Sequence, residues 1–83
     1  MEIIARDPKQ LGIAVQRRRR EQNLTQGELG ARMNARQATV SKLEKGEPAT
    51  QLQTLMNALA ALELELVVRP RTTSRVEELE ELF

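Results

Sequence analysis

Residues 24–46 read LTQGELGARMNARQATVSKLEKG, and the first half of this stretch carries a clear helix start. Thr25 and Glu28 have the Thr-x-x-Glu spacing of a capping box, in which each side chain binds a backbone N–H of the other residue. We therefore expect a helix from about residue 26 to residue 33. Asn34 should end it, because asparagine tolerates the left-handed backbone conformation that follows many helices.

The second half of the stretch predicts another helix, from about residue 37 to residue 45. Val40 and Leu43 give it an apolar side, and Gly46 suits the left-handed position after its end. A turn of roughly three to four residues around Ala35 joins the two helices. Two short helices with so short a connection are typical of a helix-turn-helix, in which the second helix enters the major groove of DNA.

Upstream of this motif, residues 7–22 predict a longer first helix. Asp7 is a good N-cap, Pro8 suits the first helical position, and Gln10 can close a capping box. Asn23 is expected to follow the helix in the left-handed conformation. The stripe that should face the core recurs at helical spacing and consists of Leu11, Ala14, Val15 and Arg18.

Downstream, Thr50 and Gln53 have capping-box spacing and predict a fourth helix that runs to about residue 62. Its apolar residues also recur at helical spacing, at Leu52, Leu55, Met56, Leu59 and Leu62. In residues 63–70, charged and apolar residues alternate at first, and two β-branched valines follow. This pattern predicts a strand that ends at Pro70. Because a lone strand leaves its backbone groups unpaired, it must pair with residues 1–5 or with the same strand of a second subunit. Both pairings remain open.

The chain therefore divides into an N-terminal arm or short strand (1–6), a helix-turn-helix domain (7–62), a dimerisation strand (63–70) and an acidic tail (71–83). The tail carries four apolar residues at helical spacing that could dock in the groove of a partner protein, namely Val76, Leu79, Leu82 and Phe83. The alternative is a disordered tail that keeps the protein in solution, because so many glutamates disfavour a folded core.

Composition excludes several classes of function. The 83 residues suffice for one domain. The sequence has no cysteine and no histidine, so a disulfide framework, a thiolate metal site and the commonest general base are all missing. We expect neither an enzyme nor a cofactor or metal site. No apolar run approaches the roughly 20 residues that span a bilayer, and no signal peptide is present, so we expect a cytoplasmic protein without a membrane partner.

Charge is distributed unevenly along the chain. Residues 1–50 contain ten Lys and Arg against six Asp and Glu, whereas residues 51–83 contain three against six. A basic front half and an acidic end indicate two surfaces with different partners, and a polyanion is the natural partner of the first.

The ordered residues Leu-Thr-Gln-x-Glu-Leu-x-x-Arg-Met and Gln-Ala-Thr-Val-Ser-Lys-Leu-Glu-Lys-Gly closely resemble the lambda-repressor/Cro-like (XRE) family, over about residues 8–69. The resemblance implies an all-α fold class, a bundle of four to five helices with a short C-terminal β-strand that is expected to pair across a dimer. In that family the base-reading positions fall on residues that the apolar stripe of the second helix leaves free, Gln37, Ala38, Ser41 and Lys42. The expected phosphate contacts are Thr25, Gln26, Arg36 and Lys45. A merely solvated helix face is the alternative for all of these polar residues.

The four successive arginines at positions 17–20 cannot all contact DNA, because they cover every side of a helix. The resemblance implies that Arg19 pairs with Glu44 and ties the first helix to the third. Arg18 departs from the family, which usually has an apolar residue there. We expect its aliphatic stem to cover the core while its head reaches solvent.

Within the family, the arrangement looks most like the HipB-type antitoxins, in which the final helix runs straight into a strand. The resemblance implies a homodimer whose two strands pair through Leu64, Leu66, Val67 and Val68. It also implies a repressor that binds a palindromic operator in its own operon and neutralises a HipA-like toxin with a Ser/Thr-kinase fold. The alternative is a stand-alone repressor, phage-like or metabolic, without a toxin partner.

Overall fold

The structure, a computed structural model, describes residues 2–71 and contains four helices in that range. They are α1 (Pro8–Glu21), α2 (Gln26–Arg32), α3 (Gln37–Glu44) and α4 (Leu52–Ala61). Helices α1 and α2 both pack against α3, and α2 also contacts α4. This arrangement confirms the expected helical bundle. None of these helices is both long and apolar enough to span a bilayer.

Two of the expected helix starts are built by side-chain caps. At α2, Thr25 Oγ1 accepts from the N–H of Glu28, and a Glu28 carboxylate oxygen accepts from the N–H of Thr25, each at 3.0 Å. At α1, Asp7 Oδ1 accepts from the N–H of Gln10 at 2.7 Å. Gln10 Oε1 accepts from the N–H of Arg6 at 2.6 Å, so this box closes one residue earlier than expected.

The expected capping box at the start of α4 is wrong. The N-cap is Gln51, whose side chain makes no cap hydrogen bond. Thr50 belongs to the preceding turn, because its N–H donates to the carbonyl of Glu47 at 3.1 Å. Gln53 instead donates from Nε2 to Oδ1 of Asn57, one helical turn further on, at 2.8 Å.

The core is aliphatic and lies between all four helices. Its buried apolar members are Val15, Leu24, Leu29, Met33, Val40, Leu43, Ala58, Leu59 and Leu62. On α1 the buried residues are Gly12, Val15 and Arg19, so the buried stripe is rotated from the one expected, which included Leu11 and Arg18. The rotation reflects the crossing of α1 over the end of α3, where a Cβ atom at Gly12 would lie 2.5 Å from the Glu44 carbonyl oxygen.

Only the second half of the apolar stripe of α4 is buried. Leu59 and Leu62 lie in the core, and Leu55 is half-buried. Leu52 and Met56, expected on the same inward stripe, are 67% and 41% exposed. The first turns of α4 therefore present apolar side chains to solvent.

The residues that follow the helices adopt the left-handed conformation expected of them. Asn23, Asn34 and Gly46 have φ values of 57°, 55° and 79°. Glu63, after α4, has a φ of 58°, which the sequence does not indicate because glutamate rarely adopts this conformation.

No strand is present within residues 2–71. The side chains of Arg69 and Glu2 lie 3.6 Å apart, so the C-terminal segment runs beside the N-terminal arm. No backbone hydrogen bond joins residues 2–5 to residues 63–71, however. A pairing between subunits needs a second copy of the chain and stays a prediction. Residues 76, 79, 82 and 83, expected to contact a toxin, lie outside the described residues.

Candidate nucleic-acid interface

The two faces of α3 differ sharply in exposure. Val40 and Leu43 are buried in the core. Three of the four expected base-reading residues, Gln37, Ala38 and Lys42, are exposed, whereas Ser41 is half-buried. The structure therefore places most of these side chains together on one solvent-facing surface of an eight-residue helix, about 12 Å long.

The turn between α2 and α3 is held tightly. The N–H of Ala35 donates to the carbonyl of Gly30 at 2.7 Å, and Asn34 takes the left-handed conformation between them. A Cβ atom at Gly30 would lie 2.7 Å from the Ala35 carbonyl oxygen. The backbone of the turn can approach α2 this closely only because residue 30 is a glycine. This close approach fixes the angle at which α3 projects from α2.

A buried ion pair joins α1 to the end of α3. Arg19 Nε lies 2.6 Å from Glu44 Oε2, and Arg19 Nη2 lies 3.0 Å from Glu44 Oε1. Arg19 Nη1 donates to the carbonyl of Leu24 at 2.7 Å. This is the pair that the family resemblance implies. The hydrogen bonds that Arg19 donates to Glu44 raise the pKa of Arg19 further above its ordinary value, against the opposing effect of burial, so the guanidinium stays charged.

Gln26 reaches the same carboxylate from α2. Its Nε2 atom donates to Glu44 Oε1 at 3.1 Å, and its side chain is half-buried. The sequence indicates only a phosphate contact for this residue, and nothing local in the sequence predicts its inward bond. Thr25, the neighbouring expected phosphate contact, is exposed, and its hydroxyl already accepts the cap bond from Glu28.

The remaining expected phosphate contacts lie at the two ends of α3. Arg36 is its N-cap residue and Lys45 its C-cap residue, and both are exposed. Arg36 also lines an open, largely polar groove of about 660 Å³ between the helix-turn-helix turn and α4, together with Asn34, Thr39, Thr54 and Asn57. The basic side chains thus bracket the exposed face of α3.

The Arg18 head reaches the surface only in part: its side chain is 28% exposed and Nη1 lies 3.7 Å from Oε2 of Glu21, but Nε turns inward. Its Nε atom donates to the carbonyl oxygen of Leu62 at 3.1 Å, and Gln22 Nε2 donates to the same oxygen at 2.9 Å. Sequence reasoning missed this contact. The available signal was the spacing of four between two long side chains with N–H donors, which places both on one side of the end of α1.

The expected dimerisation residues follow Glu63. Leu64 packs half-buried against the core, whereas Leu66, Val67 and Val68 are 50%, 65% and 93% exposed. Ile4 of the neighbouring arm is also exposed. The structure therefore leaves an apolar run uncovered next to the end of the domain.

Known proteins with a helix-turn-helix domain are similar to this chain in sequence and in structure. The family model of a helix-turn-helix domain matches residues 8–70. A chain of the HipA-HipB-O2-O3 complex is 30% identical with a TM-score of 0.77, over 83% of this chain and 97% of its own length. A HipB variant in complex with the O2 20mer is 30% identical with a TM-score of 0.79, and the match covers 87% of this chain and 100% of the HipB chain. A chain of the HipB-O4 20mer complex has 30% identity and a TM-score of 0.78, and the match covers 83% of this chain and 97% of that chain. The curated proteins gave no significant match.

Proposed function

Since the chain belongs to the HipB-like helix-turn-helix family, we propose that it is a dimeric repressor that binds a palindromic operator and serves as the antitoxin of a HipBA-type module. The observation that carries the proposal is the exposed face of α3. This helix is anchored on its other face by Val40 and Leu43, so its position is fixed while Gln37, Ala38 and Lys42 remain free.

Chemistry assigns a role to each side chain that would enter the major groove. Gln37 can donate to N7 and accept from N6 of adenine, and Lys42 can donate to O6 or N7 of guanine. The methyl group of Ala38 can contact a thymine methyl. The hydroxyl of Ser41 can bind either a donor or an acceptor on a base edge. Each good bidentate pair contributes about 1–3 kcal/mol of discrimination against the wrong base.

Phosphate contacts would set the register of α3 in the groove. Arg36 and Lys45 bring positive charge to the two ends of the helix, and Thr25 and Gln26 lie at the start of α2. Such contacts strengthen binding to any sequence and make it sensitive to salt.

One copy makes few base contacts, so the proposal includes a two-fold dimer. Residues 63–70 of two copies would pair and cover the exposed Leu66, Val67 and Val68. The two α3 helices would then meet half-sites about 34–36 Å apart on one face of the DNA.

The toxin partner is the finer part of the proposal. The related complex contains HipA, HipB and the O2 and O3 sites. A HipA-like protein with a kinase fold is therefore the partner we propose for this chain, in the cytoplasm. We assign the chain no catalytic role, no cofactor and no membrane partner. The alternative is a stand-alone repressor without a toxin.

DNA recognition is tested with operator DNA selected from random sequence by the purified full chain. Gln37→Ala should lower affinity for the selected site by about tenfold or more and relax the preference at one base pair. Gln51→Ala is the matched control, since Gln51 is also exposed but makes no side-chain cap bond. Selection of no preferred sequence would contradict the proposal.

The partner is tested by purifying the chain from its native cells and identifying what accompanies it, while binding to its own promoter is measured in parallel. A kinase-like protein together with promoter binding supports the antitoxin. Promoter binding without such a protein supports the stand-alone repressor.

A further inference from the structure

Two side-chain donors, one from α1 and one from its C-cap residue, converge on one carbonyl oxygen at the end of α4. Arg18 Nε and Gln22 Nε2 lie 3.1 and 2.9 Å from the carbonyl oxygen of Leu62. Leu62 is the fully buried C-cap of α4, and the last carbonyls of a helix have no partner within the helix itself. Two donors from different positions hold this carbonyl, and with it the peptide that leads to Glu63, in one direction.

The chain turns immediately after this carbonyl. Glu63 adopts the left-handed conformation, and the N–H of Leu64 donates back to the carbonyl of Leu59 at 2.8 Å, which is the pattern of a Schellman motif. The direction in which residues 65–71 leave the domain is therefore set at Leu62 and Glu63. Because α1 and its C-cap residue supply the two donors, that direction depends on α1 as well as on α4.

The same helix also holds the base-reading helix. Arg19, next to Arg18, binds Glu44 at the end of α3 through two hydrogen bonds of 2.6 and 3.0 Å. Successive residues point about 100° apart around a helix, so these two arginines reach different neighbours. Helix α1 therefore links the position of α3 to the exit of the C-terminal segment.

We infer that Arg18 and Gln22 are positioning residues for operator recognition, which set the separation between the two half-sites that the dimer accepts. The inference rests on the proposed function and on dimerisation through residues 64–68. A second copy is the occupant that the exposed Leu66, Val67 and Val68 favour, because these residues begin four positions after the clamped carbonyl and are at least half exposed. Loosening the clamp would let the two domains of a dimer adopt a range of separations.

A change in half-site spacing is a sensitive probe of this rigidity. One base pair added between half-sites moves one of them by about 3.4 Å and rotates it by about 35°. A dimer with a fixed separation must lose contacts at the second half-site, whereas a dimer with a loose connection can follow the change.

The test uses the full chain and its selected palindrome, remade with one or two base pairs added or removed at the centre. Gln22→Met removes one donor without changing charge, and Arg18→Met removes the other but keeps an aliphatic stem over the core. Arg17→Met is the control for the lost charge, since Arg17 is exposed on α1. We expect the unmodified chain and Arg17→Met to lose about tenfold or more in affinity for each altered spacing. Gln22→Met and Arg18→Met should lose less than about threefold while binding a single half-site as before.

Equally sharp spacing preferences in all four proteins would overturn the inference and leave Arg18 and Gln22 with a purely stabilising role, visible only in urea unfolding. An unmodified chain that accepts every spacing equally would also overturn it. Failure of the unmodified chain to select any DNA would instead contradict the proposed function itself. Gln22→Met, which changes neither charge nor much volume, keeps the test usable if Arg18→Met does not fold.

Discussion

The side-chain amide of Gln26 donates to the buried carboxylate of Glu44 across 3.1 Å, which connects a side chain at the start of α2 to the ion pair in the core. Arg19 donates to the same carboxylate and to the carbonyl of Leu24, two residues before Gln26. The start of α2 is thus held by both members of the pair. The interface and the core therefore share one hydrogen-bonded network.

Removing one partner of the ion pair should destabilise the fold strongly. Arg19→Met leaves the Glu44 carboxylate buried with only Gln26 to bind it, and we expect a loss of about 3–5 kcal/mol in the free energy of unfolding. The measurement is urea unfolding followed by circular dichroism. The double variant Arg19→Met/Glu44→Met should lose less than Arg19→Met, because it removes the uncompensated charge. A double variant less stable than the single one would contradict this account.

Gly12 and Gly27 make a matched pair of glycines within helices. Gly12→Ala should destabilise by about 1–3 kcal/mol, because the new Cβ atom would lie 2.5 Å from a backbone oxygen of α3 and push α1 outward. Gly27→Ala should stabilise by about 0.5–1 kcal/mol, since its nearest neighbour is Thr25 Oγ1 at 3.8 Å and alanine favours the helix. Thermal unfolding of both variants gives the signs, and equal effects would show that the crossing of α1 over α3 is not close.

The capping box of α2 should make stability depend on pH. Hydrogen bonds from the backbone and side chain of Thr25 lower the pKa of Glu28 below its ordinary value. A folded-state pKa below the unfolded value contributes stability that is present above the unfolded pKa, about 4.3, and is lost as pH falls through the folded pKa.

Glu28→Gln tests this contribution, because glutamine can still accept the cap bond but does not titrate. The urea midpoint of the original chain should fall more steeply below about pH 4.3 than that of the variant. Parallel curves for the two proteins from pH 7 to pH 3 would rule out the cap as the source.

Glu63 is held in a backbone conformation that suits glycine. Glu63→Gly should stabilise the fold by about 0.5–1 kcal/mol, since the relief of the left-handed conformation exceeds the entropy cost of glycine. Glu65→Gly is the control, because residue 65 has a negative φ and gains no such relief. The result is read from urea midpoints, and a loss of stability in Glu63→Gly would mean that the carboxylate side chain contributes more than the backbone conformation costs.

Arg36 and Gln37 are neighbours that should affect DNA binding in different ways. Arg36→Ala should weaken binding to all sequences alike and reduce the slope of log affinity against log salt by about 0.9 per half-site. Gln37→Ala should leave this slope unchanged and alter the preference at one base pair. Fluorescence anisotropy between about 50 and 200 mM salt measures both. An unchanged slope in Arg36→Ala would refute its phosphate contact.

Local interactions explain why the helix ends could be predicted. Thr25 with Glu28 and Asp7 with Gln10 form their cap bonds within three residues of chain, and Asn23 and Asn34 adopt φ values that asparagine tolerates by itself. The capping box expected at Thr50 does not form, because Thr50 belongs to the preceding turn, where its N–H donates to the Glu47 carbonyl.

The sequence by itself determined the four helices, the turn between α2 and α3, and the residues that α3 leaves exposed, because caps, glycines and helical periodicity act over a few residues. Only the tertiary structure decided that Gln26 binds Glu44 and that Arg18 and Gln22 bind the carbonyl of Leu62. These partners are 18, 44 and 40 residues apart in the chain. They meet only because the helices cross at particular angles, with α1 resting on the end of α3 at Gly12, and no local pattern of residues specifies such a crossing.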